Sequence, residues 1–126
     1  MGLKIIETEK APAAIGPYSQ GISAGSLHFV SGQLGLNPET GELVSDDLTG
    51  QAHQALKNLQ QVVEASGCSL NDVVAVDVFL TDMGGFTAFN GIYQEYFSEH
   101  KPARAVVEVK GLPKGACVEI KCIVHG

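Results

Sequence analysis

Positive charge is scarce in this sequence. Eight Lys and Arg stand against fourteen Asp and Glu, for a formal net charge of −6, and the sequence pI is near 5.0. Arg104 is the only arginine in 126 residues. Nucleic acid is a dense array of phosphates, so a chain this acidic lacks the electrostatic footprint that such a partner requires. The same shortage tells against a polybasic membrane contact. No apolar run approaches the ~20 residues of a membrane span. Met1 to Glu7 carry neither a signal-length apolar region nor an Arg-rich leader. The Met1-Gly2 start invites myristoylation, but Ile6 stands where Ser or Thr is needed. The three cysteines, Cys68, Cys117 and Cys122, form no C-x-x-C and have no histidine at zinc spacing. Reduced thiols in a cytoplasmic protein are the expectation, with Cys122 a small core hydrophobe. His28, His53, His100 and His125 make neither H-x-x-x-H nor H-E-x-x-H, and the glycines make no nucleotide-cradling motif. Neither metal ligation nor nucleotide cradling has support in the sequence.

What is present reads as one compact domain over residues 1–126. Hydrophobic residues make up 44% and charged residues 17%, enough to bury roughly two-thirds of the unfolded chain's surface without staples. Short β-prone segments at Lys4–Thr8, Gly21–Ala24 and Leu27–Ser31 come first, the last two flanking a Gly25-Ser26 hairpin turn. An extended loop over 32–44 leads to Asp46 and Asp47, either of which can cap a helix whose stripe is Ala52, Ala55, Leu56, Leu59, Val62 and Val63. Gly67 is placed for its C-terminal turn. A strand over Leu70–Leu80 sets Val74, Val76, Val78 and Leu80 on one face, with Ala75, Asp77 and Phe79 on the other. Thr81 or Asp82 can cap a second helix carrying Phe86, Phe89, Tyr93, Tyr96 and Phe97, ended by Lys101-Pro102. Strands Ala105–Val109 and Val118–Val124 close the chain. The order predicts an α+β two-layer sandwich, two helices packed on a mixed six-stranded sheet. One helical layer covers one sheet face only. The other, apolar in several strands, predicts self-association.

Five positions can carry chemistry. Arg104, where a loop enters an apolar strand, can grip a carboxylate or phosphate with two parallel hydrogen bonds or simply make a surface or interface ion pair. Glu119 lies opposite the Val118, Ile120, Cys122, Val124 row; it faces solvent, pairs with a cation, or works as an acid–base group whose pKa burial would raise. Tyr18, held by Gly16-Pro17, presents its phenol to a pocket or caps a core. Ser31, before Gly32, bonds a ligand or local backbone, and no G-x-S-x-G elbow surrounds it. Asn90 in the second helix marks an interruption or an amide wanted for bonding.

Together these residues closely resemble the Rid family (RidA/YjgF, reactive-intermediate imine deaminases). Ala11 through Gly21 is similar to the family's opening motif. Ser31-Gly32-Gln33, Phe89-Asn90 before Tyr93, Lys101-Pro102-Ala103-Arg104 with Val107-Glu108-Val109, and Leu112-Pro113-Lys114 with Val118-Glu119-Ile120 follow in order, over essentially the whole chain. The resemblance implies a chorismate-mutase-like protomer in a homotrimer with a central barrel and sites at the subunit interfaces. It also implies hydrolysis of imines and enamines such as 2-aminoacrylate to 2-keto acids and ammonium, with no cofactor. Arg104 would hold the substrate carboxylate and Glu119 would position water. Tyr18 would close the pocket, and Ser31, Gly32, Asn90 and Val106 would line it. Many members of this branch carry cysteine where this chain has Val106, so a mechanism using that thiol is not expected here. A non-catalytic trimeric regulator binding small carboxylates is the alternative. An endoribonuclease role runs against the charge.

Overall fold

The computed structural model describes residues 2–126; Met1, on which the Met1-Gly2 reading depends, lies outside them. Of the two acidic candidates it is Asp47 that opens the first helix, α1, Leu48–Ala65, accepting from the Gly50 amide at 2.8 Å. That bond satisfies one of the amides the first turn leaves free. At the other end Gly67 takes φ 94, a left-handed conformation that glycine adopts without strain. The predicted stripe is essentially inaccessible, none of its six residues above 1% exposure.

Six strands follow the expected order: β1 (Lys4–Ile6), β2 (Gly21–Ala24), β3 (Leu27–Gln33), β4 (Val73–Leu80), β5 (Ala103–Glu108) and β6 (Val118–His125). The second helix, α2 (Phe86–Tyr96), joins β4 to β5. Across the sheet the order is β1-β2-β3-β6-β4-β5. All pairs are antiparallel except β4 and β5, and α2 supplies the crossover that a parallel pair needs. Both helices share one core with Val76, Val78 and Leu80 of β4 and Val118, Ile120, Cys122 and Val124 of β6. The α+β sandwich is therefore as expected, and the alternation read from β6 holds throughout.

Several boundaries differ from the sequence reading: β1 ends at Ile6 rather than Thr8, β3 runs on to Gln33, β5 ends at Glu108 and β6 runs on to His125. Leu70–Asp72 form a 3-10 turn capped by Ser69, so β4 starts at Val73. Val73 is buried and Val74 is 44% exposed, so Val74 leaves the expected row while Val76, Val78 and Leu80 keep it. Pairing with β6 shifts between Val73 and Ala75, and such a bulge turns one residue to the other face. Asp82 caps not α2 but a 3-10 turn over Met83–Gly85, through the Gly84 amide. The helix then begins at Phe86 with no side-chain cap, and β5 begins at Ala103, two residues before the expected start.

Among the described residues no layer of secondary structure covers the sheet face away from the helices. One apolar row crosses every strand: Ile5 pairs with Ile22, Ile22 with Phe29, Phe29 with Ile123, Ile123 with Ala75 and Ala75 with Ala103. Ile5 is 60% exposed, Phe29 42% and Val107, on the same face, 45%.

Candidate functional site

Glu119 stands on that uncovered face, opposite Phe79 of β4. Its carboxylate lies directly over Gly32, where a Cβ would overlap Oε2 and stand 2.7 Å from Cδ. Gly32 is thus needed for space; its backbone is ordinary. Burial pushes the Glu119 carboxyl above the usual carboxylate range, and Lys121 on the same face pulls it partly back. A cleft of about 750 Å³ opens beside it, lined by Tyr18, Ser31, Gly32, Leu36, Lys114 and others. Tyr18 is exposed, so it walls the cleft and caps no core. Ser31 donates its hydroxyl to the Ser19 carbonyl and its amide to the Gln20 carbonyl. Its proton is engaged by local backbone, and only its oxygen lone pairs remain for a ligand.

Two buried amide side chains, Gln20 and Asn58, hold segments that line this cleft, a third, Gln51, ties the loop before α1 to the start of β6, and none was singled out from the sequence. Gln20 donates to the Pro12 carbonyl at 2.8 Å and accepts from the Thr8 amide at 2.7 Å. Asn58 donates to the carbonyls of Leu34 and Leu36 at 3.0 and 2.9 Å. Gln51 donates to the Ser45 carbonyl at 3.0 Å and accepts from the Cys117 amide at 2.8 Å. A signal existed for the last two. Gln51 and Asn58 are polar residues set within the buried stripe of α1, where a polar group must find partners.

Arg104 lies elsewhere, on the helix side of β5, in register with Val76. Its Nη1 donates to Asn90 Oδ1 at 2.7 Å. Its guanidinium carbon stands 4.6 Å from the centre of the Tyr93 ring and 5.8 Å from that of Phe86. Among the described residues its hydrogen bond goes to a neutral amide, not to a carboxylate, so it makes no ion pair within the chain. Helix α2 runs unbroken through Asn90, and the amide is what the position supplies. Val106, two residues along the same row, packs against the core half-buried.

The seven expected site residues therefore fall into two groups. Tyr18, Ser31, Gly32 and Glu119 share the cleft; Arg104, Asn90 and Val106 share the other sheet face, with β4 lying between strands β5 and β6. Two strand spacings put roughly 10 Å of lateral distance between them. A single chain does not bring Arg104 to Glu119.

Residues 8–126 match the family described as Endoribonuclease L-PSP. The chain belongs to this family, the YjgF/Rid family. A RutC family protein of Pyrococcus horikoshii is 49% identical to it over 122 residues, 97% of each chain. The 2-iminobutanoate/2-iminopropanoate deaminase of Mus musculus is 48% identical over 120 residues, covering 95% of this chain and 89% of the mouse protein. Among solved members, E. coli TdcF with bound serine superposes with a TM-score of 0.93 at 43% identity, covering 98% of both chains. The family fold agrees with the sandwich described above. Among the described residues no three His, Cys, Asp or Glu side chains converge to hold a metal ion, and no helix is long and apolar enough to cross a membrane.

Proposed function

We propose that this chain hydrolyses 2-imino acids and their enamine tautomers, such as 2-aminoacrylate, to 2-keto acids and ammonium. The site is completed between two copies in a closed homotrimer, Arg104 coming from one and the Glu119 cleft from its neighbour. Arg104 carries the reading. The sole arginine is braced by an amide and two aromatic rings and has no carboxylate partner, which suits a guanidinium kept for a ligand's carboxylate.

The chemistry follows from the groups present. A protonated imine is already electrophilic, so positioning and one base suffice. Arg104 fixes the carboxylate and with it the adjacent imine carbon. Glu119, with its pKa raised by burial, accepts a proton as water adds its oxygen to that carbon. The proton passes on to nitrogen, the carbon–nitrogen bond breaks, and the electron pair leaves with ammonia as the carbonyl forms. An enamine enters the same route after protonation at its terminal carbon. Tyr18 closes the cleft, and Ser31, Gly32, Asn90 and Val106 shape it. Relatives named deaminases and a relative that binds serine support the substrate class. A carboxylate such as Glu119 facing an anionic ligand weakens the alternative of a non-catalytic binder.

An amino-acid oxidase generating imines, with semicarbazide as competing trap, tests the reading. Wild type should divert imine from the trap, and Arg104→Ala and Glu119→Ala should each lower kcat/KM by about 10²–10⁴-fold, to below detection in the trap assay. A wild type that leaves the trap yield unchanged while binding 2-keto acids through Arg104 would establish the regulator instead.

A further inference from the structure

We propose that Tyr93 is a positioning residue for Arg104, its ring rather than its hydroxyl holding the guanidinium in the plane that serves the ligand carboxylate. The role rests on the function proposed above, but the geometry stands by itself. Tyr93 is 7% exposed and packs between Phe89 and Phe97, its ring 4.8 Å from that of Phe97 and stacked on it. The stacked Phe97 and the tilted Phe89, 5.8 Å away, restrict the ring. Arg104 then lies 4.6 Å above its centre, with Phe86 at 5.8 Å as a second, weaker support. The ring face attracts the cation through its quadrupole, most strongly where water is scarce. Asn90, one turn earlier on α2, takes one Nη1 proton at 2.7 Å. Ring and amide together set the tilt and the rotation of the fork, leaving its other N–H groups for two parallel bonds.

The hydroxyl plays no part. It is buried and has no hydrogen-bond partner among the described residues. Burial pushes the Tyr93 phenol up to about 12, with the Arg104 charge pulling partly back, so it transfers no proton near neutrality. Phenylalanine at this position would keep the platform and remove the orphaned group.

The single arginine makes the test clean, because its Nε–H gives one cross-peak in a proton–nitrogen spectrum of the whole protein. The ring current of Tyr93 should displace that peak from its solvent-exposed value. Tyr93→Phe should keep the displacement and Tyr93→Leu should remove it, in samples whose remaining spectra show an intact fold. In parallel, Tyr93→Leu should raise KM for 2-iminobutanoate, and Kd for 2-oxobutanoate, by roughly 2- to 30-fold. Its kcat should stay near that of wild type, and Tyr93→Phe should match wild type in every respect. A peak unmoved in Tyr93→Leu, or moved as far in Tyr93→Phe, overturns the platform. If wild type neither turns over imines nor binds 2-oxobutanoate, the function proposed above falls, and the arginine peak still decides the positioning.

Discussion

Mixing two dead variants should restore activity to this protein. Arg104 and Glu119 project from opposite faces of the sheet, on strands separated by β4. In a 2-imino acid the carboxylate and the imine carbon are directly bonded, so the groups that grip one and hydrate the other must converge within a few ångströms. No single chain can satisfy that. A site that takes Arg104 from one copy and Glu119 from its neighbour can. Arg104→Ala and Glu119→Ala, each inactive alone, are unfolded together in equal amounts and refolded. An interface is intact only when its first copy keeps Arg104 and its second keeps Glu119, which random assembly produces at about one quarter of interfaces in a closed ring. The oxidase-coupled trap assay should read that fraction of wild-type activity, with native mass spectrometry verifying that mixed oligomers formed. Mixed oligomers without recovered activity would refute the shared site, as would substantial activity in either variant alone.

The remaining expectations follow from single groups. Because burial raises the pKa of Glu119 and only its carboxylate can accept a proton, the acid limb of kcat should lie above the ordinary carboxylate range. Lys121→Gln, which removes the opposing charge, should move that limb further up in a pH–rate profile. Glu119→Gln should abolish turnover without lowering Tm, since a neutral amide escapes the desolvation that the carboxylate suffers. Gly32→Ala drives a methyl into the Glu119 carboxylate; displacement on the order of 1 Å should lower kcat by about 10²-fold. Calorimetric binding of 2-oxobutanoate, held by Arg104, should change far less. Gln51→Leu leaves the Cys117 amide and the Ser45 carbonyl without partners, which should cost about 1–3 kcal/mol and lower Tm on the order of 4–12 °C, read by scanning calorimetry.

Local signals in the chain carried local structure. Helix α1 was legible because a cap, a 3.6-residue stripe and a terminal glycine agreed, and β6 because its alternation was unbroken. Val74 was not, since the bulge that turns it outward depends on how β4 pairs with β6, which neither strand records in its own pattern. Asp82 carried a genuine cap signal, and the chain spends it on one 3-10 turn before α2. The same division runs through the site. Arg104, Glu119, Tyr18 and Gly32 could be picked out by residue type and motif. That Arg104 and Glu119 face away from each other needs the register of three strands. Gln20, Asn58 and Gln51 act on carbonyls 8, 24 and 6 residues away, and no periodicity in the sequence names those partners.

The separation of the two charged residues has a chemical reason. Had one chain set Arg104 beside Glu119, the pair would have closed on itself. The cation would have stabilised the carboxylate and driven its pKa down, weakening it as a base, and the carboxylate would have occupied the fork that a substrate needs. The sheet prevents both. On the helix side Arg104 is braced by a neutral amide and two aromatic faces, none of which cancels its charge. On the open side Glu119 has Lys121 as its opposing charge, too weak an influence to undo the effect of burial. In the homotrimer proposed above, a second copy covering the apolar row of Phe29 and Ile123 would drive water from the same face that carries Glu119. The two groups would then meet with a ligand between them, its carboxylate matched to Arg104 and its imine carbon turned toward the base.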